Sequence, residues 1–241
     1  MTGSRTVVTV ICSAVLAVTG CTTTVHGAAV AAEVPNHTTM ATPSGPAPRM
    51  VPISVLDGLL LTQQQIVALV GGADMALVVT AISTSDASTL IDDRTCLSLG
   101  SVGDVATYSN SGYVGMRGNQ FSTPNSVAAD VTQLVTSFPA PADAQGLLRR
   151  AGQDWQGCAN RRYGFHSSNG NHSYFDTGDL RGSGSRIELS MHQEEDPRWG
   201  CSHAMTVANN VVVEARVCLL GKDTAAAANN LLDQIVARIP Q

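Results

Sequence analysis

Four cysteines, Cys96, Cys158, Cys201 and Cys218, are spread through a chain whose first twenty residues read as an export signal. Export places them in an oxidising compartment, where two disulfides are the default. Four cysteines allow three pairings. The local pattern favours one of them. Between Cys201 and Cys218 the runs SHAMTVA and VVVEARVCLL are separated by Asn209-Asn210, and asparagine tolerates the positive φ of a tight turn. On such a hairpin Cys201 and Cys218 stand near opposite positions, and Cys96 would then pair with Cys158. The long loop closed by that second bond stabilises by about 4 kcal/mol in the chain-entropy account. A four-thiolate zinc site is the rival reading, but no CxxC spacing exists to form one.

The export signal rests on Arg5, which supplies a positive start, and on the apolar run from Val7 to Val18. That run is too short to cross a bilayer, which takes about 20 apolar residues. Thr19-Gly20-Cys21 follows it. Small residues before a cysteine resemble the bacterial lipobox, where lipid is attached to the thiol and cleavage leaves that cysteine N-terminal. The expectation is a signal peptide over 1–20, lipidation at Cys21, and an anchored lipoprotein on the extracytoplasmic face of the cell membrane. Each acyl CH₂ buried in the membrane contributes about 0.8 kcal/mol. The competing reading is an ordinary secretory signal with an incidental cysteine.

Residues 21–52 are rich in Thr, Ala and Pro and lack aromatics. Such a stretch cannot bury enough apolar surface to offset its ordering entropy. It is expected to be a tether with a mean reach of roughly 30 Å. The folded domain is expected over 53–241.

Within that domain three helices are expected. The first spans about Leu59 to Gly72, with Thr62 as N-cap and Gly71 as stop. The second covers about Ala142 to Gln156, with Ala144, Leu147, Leu148, Ala151 and Trp155 along one face. The third covers about Thr224 to Ile239, capped by Thr224, with Ala228, Leu231, Leu232, Ile235 and Ile239 as its stripe. Strand-like segments lie at Val127 to Phe138, Arg186 to Met191 and the Cys201–Cys218 hairpin. Consecutive strands with helices set apart imply a single α+β domain with an antiparallel sheet.

Charge excludes one class of partner. The net charge is −5, with Lys222 the single lysine. Removing residues 1–20 takes away only Arg5, leaving 13 basic against 19 acidic residues, or −6. An acidic chain without basic clusters is a poor partner for nucleic acid. Catalytic patterns are missing too. There is no G-x-S-x-G elbow, no S-x-x-K set and no phosphate loop, since Gly178 to Ser185 lacks the lysine. His192 to Asp196 gathers charged side chains near His203, yet neither H-E-x-x-H nor H-x-x-E-H occurs. A charged loop is the simpler reading, and no cofactor or metal is expected. His166 and His172, in a Ser/Asn/Gly-rich segment, read as a surface turn. Trp155 and Trp199 each stand near a cysteine and are expected to pack against a disulfide. Tyr163, Phe165, Tyr174 and Phe175 flank a polar loop and are the better candidates for contact with a ligand.

Four spaced segments carry a family likeness: DWQGCA (Asp154 to Ala159), WGCSHA (Trp199 to Ala204), NVVVEARVC (Asn210 to Cys218) and AANNLLDQIVARIP (Ala227 to Pro240). Together they resemble the extracellular sensor domain of mycobacterial serine/threonine protein kinase H, a domain that also occurs on free-standing lipoproteins. LLLTQQQIVALVG (Leu59 to Gly71) is similar to its opening helix. The resemblance covers about 53–241. It implies an α+β domain with a broad cleft for an envelope ligand, no established chemistry, and the pairs Cys96–Cys158 and Cys201–Cys218. The expected function is therefore a non-enzymatic sensor that binds a small molecule, lipid or glycan of the envelope. Without a kinase domain it would pass its bound state to another protein. A partner subunit for a surface protein is the alternative, and an envelope hydrolase lacks its nucleophile–base signature.

Overall fold

The computed structural model describes residues 49–240, apart from 73, 125–127 and 168–169. The signal peptide, Cys21 and the tether as far as residue 48 lie outside the described residues. The described residues fall within one compact unit.

A 3-10 turn, Ile53–Leu59, leads into α1 (Gln63–Leu69). Strand β1 (Ala76–Ala81) is followed by a long excursion carrying a 3-10 turn (Arg94–Cys96), α2 (Leu97–Gly100) and α3 (Val105–Tyr108). Strands β2 (Gly115–Ser122) and β3 (Ala129–Ser137) form a hairpin. The chain then crosses the sheet through α4 (Pro141–Cys158) to its far edge. From there β4 (Arg162–His166), β5 (His172–Arg181), β6 (Arg186–Gln193), β7 (Trp199–Ala208) and β8 (Val211–Leu220) meander back, and α5 (Thr224–Val236) follows. The eight strands pair in the order β1-β2-β3-β8-β7-β6-β5-β4, every pair antiparallel.

Side chains alternate across this sheet and sort into two cores. One face carries Val131, Val213 and Val217 against α1 and α5, including Ile66, Leu231 and Ile235. The other carries Leu134, Met205 and Leu189 against α4 and the excursion, including Leu147, Trp155 and Tyr108. The central strands β3, β8 and β7 are covered on both sides. Their valine-rich runs therefore lose the strict polar alternation that an exposed face would keep. Both disulfides form as the hairpin suggested: Cys201 lies in register with Cys218, and Cys96 ties the excursion to the end of α4 at Cys158.

Several expectations shift at their edges. Thr62 does cap α1, through a reciprocal capping box with Gln65, but Leu59 to Leu61 lie outside the helix. The cap of α5 is Asp223, which accepts from Ala226 N, and Thr224 is instead the first helical residue, its hydroxyl bonded to Ser202. His166 and His172 are paired strand residues on β4 and β5, not turn residues. Val51, assigned to the tether, is buried, and its N–H donates to the Asn210 side chain. Val127 lies outside the described residues, and β3 is assigned from Ala129.

Candidate functional site

The face that carries α4 is not covered along its whole length. At the end where β3 and β7 begin, a cavity of about 340 Å³ opens over the sheet. A second, of about 260 Å³, lies beyond it, and Gln120 and Arg216 line both. The strand register explains the wall. Gln120 and Ser122 point to this face from β2, Asp130 from β3, Arg216 and Cys218 from β8, and Cys201 from β7. The Cys201–Cys218 disulfide is thus part of the cleft surface.

The aromatic end is built from β4 and β5. Tyr163 and Phe175 are register partners, and their rings stack at 5.7 Å between centroids. Phe165 stands two residues along β4 on the same face, and its strand edge is bridged by Ile91. Trp199, half-buried at the start of β7, closes this end beside the disulfide. Tyr163 is buried and its hydroxyl reaches Met191 Sδ at 3.0 Å. Burial pushes its phenol up to about 12, so the ring is uncharged across the physiological range.

The polar end is one ion pair. Arg216 Nη1 donates to Gly100 O at 2.5 Å, and Nη2 lies 3.8 Å from Asp130 Oδ1. Gln120 Nε2, at 2.8 Å, and the Ser122 hydroxyl both donate to Asp130 Oδ2. A Cβ at Gly100 would come within 2.3 Å of Ile91 Cδ1, the flexible tip of a side chain that would have to turn aside.

Beneath the second cavity lies a buried polar network. His203, opposite Arg216 on β7, directs Nδ1 to Leu99 O at 2.6 Å and Nε2 to Glu214 Oε1 at 2.8 Å. Glu214 also accepts from the Tyr108 hydroxyl at 2.7 Å and from Gly103 N at 3.2 Å. Burial, with the Glu214 carboxylate beside it, holds the Tyr108 phenol well above its usual range. These bonds fasten the excursion to the sheet and so fix one bank of the cleft. The lining itself contains no histidine or free thiol, and its two hydroxyl-bearing side chains, Ser122 and Tyr163, have no adjacent base other than Asp130.

The structure brings Tyr163, Phe165 and Phe175 together in the cleft. Tyr174 lies apart from them on the opposite face of β5, its ring covered by the Arg162 guanidinium at 3.5 Å and flanked by His172. Trp155 lies in the core, its ring tilted against His203 at 4.5 Å between centroids and its Nε1 donating to Ser98 O. The acidic run near His192 is taken up by ion pairs, Glu194 with Arg162 and Asp196 with Arg198. Among the described residues no cluster of His, Cys, Asp and Glu could hold a metal ion. Asp130 and Arg216 went unnoticed in the sequence. The signal that could have found them is parity: Arg216 shares the face of Cys218, two residues away.

A family model described as the PknH-like extracellular domain matches residues 51–238. The serine/threonine-protein kinase PknH of Mycobacterium bovis is 27% identical over 196 residues, 80% of this chain and 32% of that protein. PknH of a Mycobacterium tuberculosis strain is 28% identical over 175 residues, 71% of this chain and 27% of that protein. The chain therefore matches about a third of these relatives' length. The crystal structure of the extracellular domain of PknH from Mycobacterium tuberculosis superposes with a TM-score of 0.72 at 24% identity, covering 79% of this chain and 97% of that one.

Proposed function

The chain belongs to the family of PknH-like extracellular domains, and from that premise we propose that it is a lipid-anchored, non-catalytic binding module of the cell envelope. Its matched region is the extracellular part of a kinase, which supports an extracytoplasmic place. Cys21 carries the anchor, and 22–48 let the domain stand off the membrane. The cleft receives an envelope-derived ligand. The observation that carries this reading is the lining: four aromatic side chains, Tyr163, Phe165, Phe175 and Trp199, share a cavity of about 340 Å³ with a single, internally balanced ion pair. Few polar groups in an apolar concavity are the usual composition of a ligand site. The bound state is then passed to another protein at the membrane.

Two experiments test the reading. In detergent phase partitioning, the full chain from a bacterial host is expected in the detergent phase and its Cys21→Ser variant in the aqueous phase; equal partitioning contradicts the anchor. Native mass spectrometry of residues 46–241 after incubation with envelope extract is expected to show a reproducible adduct. A bare protein mass from every fraction contradicts the binding module.

One observation favours a second reading, a partner subunit for another surface protein. Strand β1 lies at the sheet edge and exposes Leu77, Val78 and Val79. An uncharged apolar edge is a template for an added strand. Crosslinking of the full chain in its native membrane, mapped to β1, is the expected result of that arrangement.

A further inference from the structure

We propose that the ligand of this cleft is an uncharged glycoside, with a sugar hydroxyl between Asp130 and Arg216 and its apolar part against Phe165, Phe175 and Trp199. The inference rests on the binding reading above and names the chemistry of that site.

Charge is the first argument. Asp130 and Arg216 are the only charged side chains in the lining, and they face one another. An anionic headgroup would gain the guanidinium but meet the carboxylate beside it. A cation would meet the reverse. A neutral ligand leaves the pair intact.

Hydrogen-bond capacity is the second. Arg216 Nε and Asp130 Oδ1 are buried and have no hydrogen-bond partner among the described residues. One is a donor and the other an acceptor. The 3.8 Å between Nη2 and Oδ1 exceeds hydrogen-bond length. Because Nε and Oδ1 are closed to solvent, the Arg216 side chain has to swing off the carboxylate to admit a ligand oxygen, which would then accept from the guanidinium and donate to Oδ1. A hydroxyl does both. A phosphate or carboxylate oxygen accepts only, and an ammonium donates only. Gln120 and Ser122, already bonded to Asp130, hold its carboxylate in position.

The aromatic end supplies the third. Phe165, Phe175 and Trp199 offer ring faces without a charge. They suit the C–H face of a pyranose or a short alkyl aglycone, and would leave a small polar metabolite without a contact surface.

The test is calorimetric binding to residues 46–241 with two probes of equal tail length below their micelle concentrations, octyl β-glucoside and octyl phosphate. The glucoside is expected to bind and the phosphate to bind at least about tenfold more weakly, the worth of roughly one charge-assisted hydrogen bond. Asp130→Asn is expected to weaken the glucoside about tenfold. Arg216→Lys, which keeps the charge but removes the Nε donor, is expected to weaken it comparably, so the proposal stays testable if Asp130→Asn does not fold. Octyl phosphate binding as tightly as the glucoside overturns the glycoside and leaves the binding module standing. So does unchanged glucoside affinity in Arg216→Lys. Failure of both probes while an envelope fraction gives an adduct overturns the glycoside alone. Failure of both probes and of every fraction overturns the binding module as well.

Discussion

At the scale of single residues, the network under the cleft carries the largest energetic stakes. Glu214 accepts from Tyr108 and Gly103 and faces His203, with no water access to any of them. Glu214→Ala strands three polar groups at once and is expected to cost about 3–5 kcal/mol in urea unfolding. Tyr108→Phe removes one donor and is expected to cost about 1–3 kcal/mol. Tyr163 gives a pH signature. Its phenol is raised to about 12 in the folded protein, against about 10 when unfolded. The neutral form is therefore favoured by folding, and that contribution is complete below pH 10 and lost as pH rises towards 12. The difference between the ultraviolet titrations of the unaltered protein and of Tyr163→Phe should be one phenolate step near pH 12. A difference step near 10 would mean that the Tyr163 ring is exposed. The sequence marks Tyr163, Phe165 and Phe175 because they flank a polar loop. It did not mark Asp130 or Arg216, since a lone charge in a strand looks like a solvated face until the register places it beside its partner. Tyr174 stands away from the other three aromatics because one step along a strand reverses the face.

Among the elements, those with strong periodicity were legible. The stripe of α4 is buried at Ala144, Leu147, Leu148, Ala151 and Trp155, and that of α5 at Ala228, Leu231, Leu232 and Ile235. The β7–β8 hairpin was legible from its asparagines, Asn209 adopting φ +52°. Strands β1, β2, β4 and β5 were not, for two physical reasons. Edge strands are half-exposed and carry mixed residues, and glycines such as Gly115, Gly118 and Gly164 blur the alternation. The caps were half legible. Thr62 was correct, whereas at α5 the side chain one residue earlier, Asp223, does the capping. Asp223→Ala should therefore lower stability by about 1 kcal/mol through loss of the cap. In the excursion, Gly100→Ala would meet Ile91 Cδ1, whose side chain has to turn aside. It is expected to destabilise by about 1 kcal/mol in urea unfolding, the low end for overpacking.

For the molecule as a whole, the sheet organises everything else. One meander, β1 to β3, meets a second, β4 to β8, at the β3–β8 seam, and the cleft opens at one end of that junction. The disulfides act on different parts of this plan. Cys96–Cys158 closes a loop with a sequence separation of 62 and pins the excursion to α4, whereas Cys201–Cys218 closes one with a separation of 17 and forms part of the cleft surface. Replacing the first pair by alanine should cost about 4 kcal/mol and the second about 3 kcal/mol on chain-entropy grounds. Antiparallel pairing and the α+β class followed from consecutive strands, but the eight-stranded order did not, because the α4 crossover carries the chain from β3 to the far edge of the sheet and leaves β3 paired with β8, distant in sequence. The central claim is that this cleft holds an envelope ligand, and its most direct test is the melting temperature of residues 46–241 and of its Phe175→Asp variant across fractionated envelope extract. One fraction should raise the melting temperature of the unaltered domain by about 5–10 °C at hundredfold excess over Kd and leave Phe175→Asp unmoved. No shift in any fraction, or an equal shift in both proteins, would contradict the claim.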